Sequence, residues 1–178
     1  MPIQSINRAE LLALLECAKR KRTRDWLMIL LAFNHGLRAS EVVALTPVNF
    51  SSTHITVQRL KGSLRTTQAL REDANPLLDE RKALFEYLRK KPRNQRLFNV
   101  SRVRFWQLMQ EHAKAADIEE HKRHPHVLKH SIAMQTIESA GIENVRQHLG
   151  HKSIGSTGAY LRVTDEAAGA AIKKALAV

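Results

Sequence analysis

The sequence predicts a mainly helical domain with one small antiparallel sheet, an α+β chain in which helices dominate. Three observations predict it. Apolar residues recur at three- and four-residue spacing along most of the chain, one stretch from His54 to Leu70 switches to alternation, and capping signals punctuate the helical segments. With 178 residues, 43% of them hydrophobic, the chain fits one domain spanning 1–178 and can bury a substantial core. No Gly/Ser-rich or Pro-rich linker, internal repeat or low-complexity tract announces a second module.

Taken in order, Asn7 followed by Glu10 is a capping box, opening a helix whose apolar face holds Leu11, Leu14, Leu15 and Ala18. Cys17 lies among these leucines and reads as buried and inert. A second helix starts near Thr23, buries Trp26, Ile29, Leu30 and Phe33, and stops at Gly36. Ala39 to Leu45 is a short helix ended by Pro47. His54 to Leu60 and Leu64 to Leu70 form a hairpin, with Lys61-Gly62-Ser63 as its turn. Asn75-Pro76 reads as an N-cap with proline at the first helical position, for a helix carrying Leu77, Leu84 and Leu88 inward. Ser101 caps a helix through Phe105, Leu108 and Met109. His124-Pro125 begins a helix through Leu128, Ile132 and Ile137 that ends at Gly141. Short helices follow near 142–149 and 155–162, and an Ala-rich one closes the chain over about 165–178.

Composition narrows the function. The longest apolar run, Trp26 to Phe33, is far shorter than the ~20 residues of a membrane span, so no membrane partner is expected. The N-terminus lacks a signal pattern, and one cysteine cannot build a disulfide framework, so a cytoplasmic location is expected. Lys and Arg number 29 against 17 acidic residues, a net +12. They cluster at Lys19–Arg24, Arg89–Arg96 and Lys122–Arg123, which favours a polyanionic partner, DNA or RNA. Lysines and arginines also gather in the last turns of helices, so any one cluster has an ordinary reading as a solvated helix end.

The chemistry concentrates in H-P-H-V-L-K-H and H-L-G-H-K-S-I-G-S-T-G-A-Y, which hold His126, Lys129, His130, His151 and Tyr160. Spacings of three and four let His126 share a helix surface with Lys129 or His130. Cations, imidazoles and a phenol can hold a phosphate, move a proton and supply a nucleophile. A zinc site would use His121, His124, His126 and His130, but no cysteine accompanies them and the spacing fits no familiar set, so no metal is expected. Upstream, Arg38 stands between two helices in H-G-L-R-A-S-E, where a guanidinium can bind two phosphate oxygens at once. Singly, each residue has a plainer reading: Arg38 paired with Glu41, Lys61 solvated at a turn, Tyr160 half-buried in packing.

In combination they are less ordinary. Arg38 in G-L-R-x-S-E, Lys61 on a hairpin, H-x-L-K-H, L-G-H-K-S-I and Tyr160 nine positions after His151 resemble the tyrosine recombinase (phage integrase) family. The resemblance runs from Ser5 to about Leu176 and corresponds to the family's catalytic domain, without the separate N-terminal core-binding domain of larger integrases. H-G-L-R-A-S-E and R-L-K-G-S-L-R-T-T are most similar to the small fimbrial phase-variation recombinases.

The resemblance implies a catalytic set of Arg38, Lys61, His126, Lys129, His151 and Tyr160, supported by Glu41 and His130. Arg38 and Lys129 would clamp the scissile phosphate, and His126 and His151 would hydrogen-bond it, with His126 helping to deprotonate Tyr160. Tyr160 would attack phosphorus to give a 3′-phosphotyrosine link and a free 5′-hydroxyl, and Lys61 would protonate the leaving oxygen. No cofactor, metal or ATP is required, because the covalent link conserves the bond energy. The implied partners are double-stranded DNA at specific recombination sites, a homo-tetramer on that DNA and accessory DNA-bending proteins, in the nucleoid. Lys19, Lys21, Arg22, Arg65, Lys122, Arg123 and Lys152 are the expected DNA contacts. The tail helix, 165–178, is expected to dock on a neighbouring protomer. One departure stands out: the family usually has arginine where this chain has Lys129, which keeps the charge and loses the fork. The alternative is therefore a catalytically weak or inactive DNA-binding protein on the same fold.

Overall fold

The structure is a computed structural model describing residues 3–60, 63–89, 91–160 and 165–176. Lys61, Gly62, Lys90 and residues 161–164 and 177–178, which include part of the expected hairpin turn and of the expected 155–162 helix, lie outside the described residues.

Helix α1 (Arg8–Lys21) opens on the predicted capping box: Asn7 Oδ1 accepts from Glu10 N at 2.9 Å and Glu10 Oε2 accepts from Asn7 N at 2.7 Å. Its buried residues are the four predicted, and Cys17 is half-buried rather than buried, close to the Arg20 guanidinium. Helix α2 (Thr23–Asn34) is the centre of the molecule. Every residue from Asp25 to Asn34 is buried, not one stripe alone, because α1, α3 (Ala39–Ala44), α4 (Glu80–Leu88) and α6 (His126–Ala140) surround it. Helix α5 (Arg102–Ala115), capped by Ser101 as expected, packs on α1 and α3. Helix α7 (Ile142–Leu149), α8 (Gly155–Gly158) and α9 (Asp165–Leu176) follow. Among the described residues no helix is long and apolar enough to cross a membrane.

The sheet has two antiparallel strands, β1 (His54–Val57) and β2 (Thr66–Ala69), with Val57 opposite Thr66 and His54 opposite Ala69. Pairing stops earlier than the predicted turn, for a definite reason. Leu60 N donates to Glu41 Oε1 and Leu64 N to Gly150 O, so backbone donors that would extend the ladder serve α3 and the end of α7 instead. The other correction concerns Asn75. Its side chain accepts from Leu77 N, making a single turn, and α4 begins at Glu80 with Asp79 as N-cap. The buried Glu80 carboxylate accepts from Asn34 Nδ2 and Arg71 N, and this anchor sets where the helix starts.

A second, smaller core lies beside the main one: Ala133, Ile137, Val145, Leu149 and Tyr160. It joins α6, α7 and the segment after α8, and so places the histidines and the tyrosine of the sequence motifs around one opening.

Candidate active site

Four elements deliver the predicted residues. Arg38 is the N-cap of α3, His126, Lys129 and His130 occupy the first turn and a half of α6, His151 follows α7, and Tyr160 follows α8. Gly150 ends α7 at φ 68°, ψ 29°, a left-handed cap that a side chain would strain. They converge on a cleft of about 730 Å³ lined by Arg38, His126, Lys129, His130, His151, Lys152 and Tyr160, with Ser63, Ser153 and Ser156. A separate groove of about 650 Å³ beside Lys19, Trp26 and Tyr87 contains none of the predicted catalytic residues.

The floor of the cleft is an ion cluster. Glu41, 3% exposed, accepts from Arg38 N at 2.8 Å, Arg38 Nη1 at 3.0 Å, Arg59 Nη1 at 3.2 Å and Leu60 N at 3.1 Å. Burial alone would raise its carboxyl, but the backbone donors of Arg38 and Leu60, with the charges of Arg59 and Lys129, hold it below the usual carboxylate range. Arg38 has one edge on Glu41 and reaches Ser63 Oγ at 3.3 Å with the other, at the mouth of the cleft.

Lys129 is 5% exposed, and its Nζ donates to Leu149 O at 3.0 Å, capping α7. Burial and the charges of Arg38 and Arg59 push its ammonium down to about 7, against the pull of Glu41. Burial and the same cations, Lys129 foremost, hold His151 down to about 4, so its ring is neutral at neutral pH; its Nδ1 lies 2.9 Å from Thr157 Oγ1. His130 Nδ1 is 2.8 Å from Tyr160 Oη. Burial and the neighbouring His126 lower His130, while burial raises the Tyr160 phenol against an opposing pull from Arg38. With His130 as the tautomer that leaves Nδ1 unprotonated, that nitrogen accepts from the phenol. This pocket can bind a tetrahedral anion, and it holds a hydroxyl with a base already on it.

The profile of the phage integrase family matches residues 4–167. The chain belongs to the phage integrase family. Among its relatives is tyrosine recombinase XerA of Pyrococcus furiosus, 30% identical over 179 residues, covering 97% of this chain and 62% of that protein. The type 1 fimbriae regulatory protein FimE of Escherichia coli K12 is 26% identical over 159 residues, covering 81% of this chain and 77% of that protein. XerH site-specific recombinase, bound to difH substrate in a pre-cleavage complex, has a TM-score of 0.79 at 18% identity over 97% of this chain and 55% of that one, a likeness of fold. This chain thus spans less than two thirds of the XerA relative's length.

Within this family frame, the residues expected from the sequence divide clearly. Arg38, Glu41, His126, Lys129, His130, His151 and Tyr160 meet in one cleft, and Lys61 lies outside the described residues. Of the expected DNA contacts, Lys152 lines the cleft and Arg65 and Arg22 are exposed. Lys19 sits 4.1 Å from the Trp26 ring centroid, Lys21 pairs with Glu111, Lys122 with Glu10, and Arg123 Nε donates to Ile118 O. Sequence reasoning missed Arg59. Its position in R-L-K, two residues from Lys61, was visible; its burial was not.

Proposed function

We propose that the chain acts as the catalytic domain of a site-specific DNA recombinase of the integrase or invertase type, cutting and rejoining strands through a 3′-phosphotyrosine intermediate. The observation that carries this reading is the Tyr160 hydroxyl, 2.8 Å from a neutral His130 in the cleft shared with Arg38, Lys129 and His151. A scissile phosphate seated there takes the place of Ser63 on the outer edge of Arg38 and meets the Lys129 ammonium, and the two stabilise the charge developing on its oxygens. Tyr160 Oη attacks phosphorus: the Oη–P bond forms, the bond from phosphorus to the 5′-oxygen breaks, and the phenolic proton passes to His130. His126 and His151 donate to phosphate oxygens. Lys61, by family resemblance, protonates the departing 5′-oxygen. Attack by a 5′-hydroxyl on the phosphotyrosine reverses the sequence and rejoins the strand, so the chemistry uses neither metal nor ATP.

The substrate is double-stranded DNA, a reading supported by the +12 charge and by the difH complex of XerH. Assembly on DNA as a homo-tetramer, with α9 docked on a neighbour, completes the proposal; deletion of 165–178 should weaken assembly on DNA in sedimentation. The test of the chemistry is a nicked duplex carrying DNA that flanks the native gene. The protein should be trapped as a covalent adduct surviving denaturation, and Tyr160→Phe should give none. No adduct from the unaltered protein on any flanking site would sink the reading. One observation favours a catalytically weak variant of it: the Lys129 ammonium is engaged with Leu149 O and presents no fork to a phosphate.

A further inference from the structure

We propose that Arg59 is a positioning residue for the phosphate-binding site, its buried guanidinium fixing Arg38 through Glu41 and His151 through the end of α7. The inference rests on the recombinase reading of the same cleft.

An arginine beyond the end of a hairpin strand is ordinarily solvated. Arg59 is instead 3% exposed, and it meets the condition for burying a charge by satisfying every donor. A guanidinium has five N–H groups. Nε donates to Thr66 Oγ1 at 3.0 Å; Nη1 to Gly36 O at 3.1 Å and Glu41 Oε2 at 3.2 Å; Nη2 to His35 O at 2.7 Å and His148 O at 3.1 Å.

The identity of these acceptors carries the inference. His35 and Gly36 are the exit of α2, immediately before Leu37 and Arg38. Glu41 is the carboxylate that orients the Arg38 guanidinium. His148 lies in the last turn of α7, ahead of Gly150 and His151. Carbonyls at helix ends lack intrahelical partners, and one planar fork serves two such ends at once. Gly150 packs directly on it: a Cβ there would come within 2.9 Å of Arg59 Cγ. The segments that present Arg38 and His151 therefore share one rigid tie, and Thr66 holds that tie to β2.

Arg59 also acts on the site electrostatically. Lys129 faces Arg59, Arg38 and Glu41 across the cluster, with His148 from α7, His151 just beyond it and His130 from its own helix. Three cations around a single carboxylate leave Lys129, the one among them able to shed a proton readily, to relieve the excess charge. Arg59 thereby ties the charge of Lys129 to the arrival of a phosphate.

The experiment compares Arg59→Lys and Arg59→Met in the whole chain. Circular dichroism and thermal unfolding establish that each variant folds. The lysine 13Cε signals are titrated without DNA, the Lys129 resonance being the one absent in Lys129→Arg. Adduct formation on the nicked duplex is timed at saturating DNA. Arg59→Lys keeps the charge and loses the fork, so Lys129 should still titrate near 7 while the adduct rate falls roughly 100-fold, as a misplacement of about 1 Å produces. Arg59→Met should lose the rate and also move the Lys129 midpoint up by about one pH unit. A purely structural arginine would lower the melting temperature and leave folded variants with the original rate and midpoint; that result overturns the proposal. If Arg59→Met does not fold, a folded Arg59→Lys at the unaltered rate overturns it alone. Should the unaltered protein give no adduct, the recombinase reading fails, and the DNA-free titration still decides the coupling of Arg59 to Lys129.

Discussion

In the proposed reaction the imidazole bonded to Tyr160 takes its proton, and that imidazole is His130. Family resemblance points to His126 for this task, and the residue pattern cannot separate the two. They sit four apart on α6 with ring centroids 6.4 Å apart, and only the course of the chain after α8 brings the phenol to one of them. His130→Ala should therefore slow single-turnover adduct formation by about 10² to 10⁴, the usual contribution of a general base, and by more than His126→Ala does. An equal or larger loss in His126→Ala would reassign the base. Lys129→Met removes the lysine proposed to stabilise the phosphate and should lower the same rate by about 10² to 10³, while Lys152→Met, at the exposed rim, chiefly weakens DNA binding.

At the scale of elements, local signals were legible wherever the deciding interactions were local. Asn7 and Glu10 bond each other across three residues, so α1 could be read from its cap; Asn7→Ala should cost about 1 kcal/mol in urea unfolding. The hairpin connection and the start of α4 were read differently from what forms, because their partners are distant. Leu60 N serves Glu41, Leu64 N serves Gly150, and Glu80 is anchored by Asn34 and Arg71. Gly150 illustrates the other direction. It follows directly on the short helix expected near 142–149, yet its need for a missing side chain comes equally from Arg59 and from Leu64 O, each 2.9 Å from a Cβ placed there. Gly150→Ala should therefore cost more than the about 1–2 kcal/mol of a left-handed residue alone, measured as a fall in the urea midpoint.

The whole molecule carries a pH signature. Folding holds His124, His130, His148 and His151 below the ordinary imidazole range, His151 at about 4. Between about 6.5 and 4 the unfolded chain therefore binds protons that the folded chain refuses, so stability falls as pH drops through that window. Lys129 has the same sign in another window: from about 7 up toward 10.5 the unfolded lysine stays charged and the folded one does not, so stability rises with pH there. Urea midpoints at pH 4.5, 7 and 9 should increase in that order, and Lys129→Met should flatten the upper step. DNA affinity should fall steeply with salt, by about 0.9 in log–log slope for each phosphate neutralised.

The sequence by itself determined the helical class, the caps of α1 and α5, a small sheet and most of the residues that line the cleft, because periodicity, capping and motif order are properties of neighbours along a chain. The tertiary structure alone decided which histidine meets Tyr160, how burial and neighbouring cations lower the Lys129 ammonium, and that Arg59 turns inward to bind the ends of two helices. Each of these depends on burial and on partners far away in sequence, where a charged side chain is placed by the acceptors the fold offers and not by its own preference.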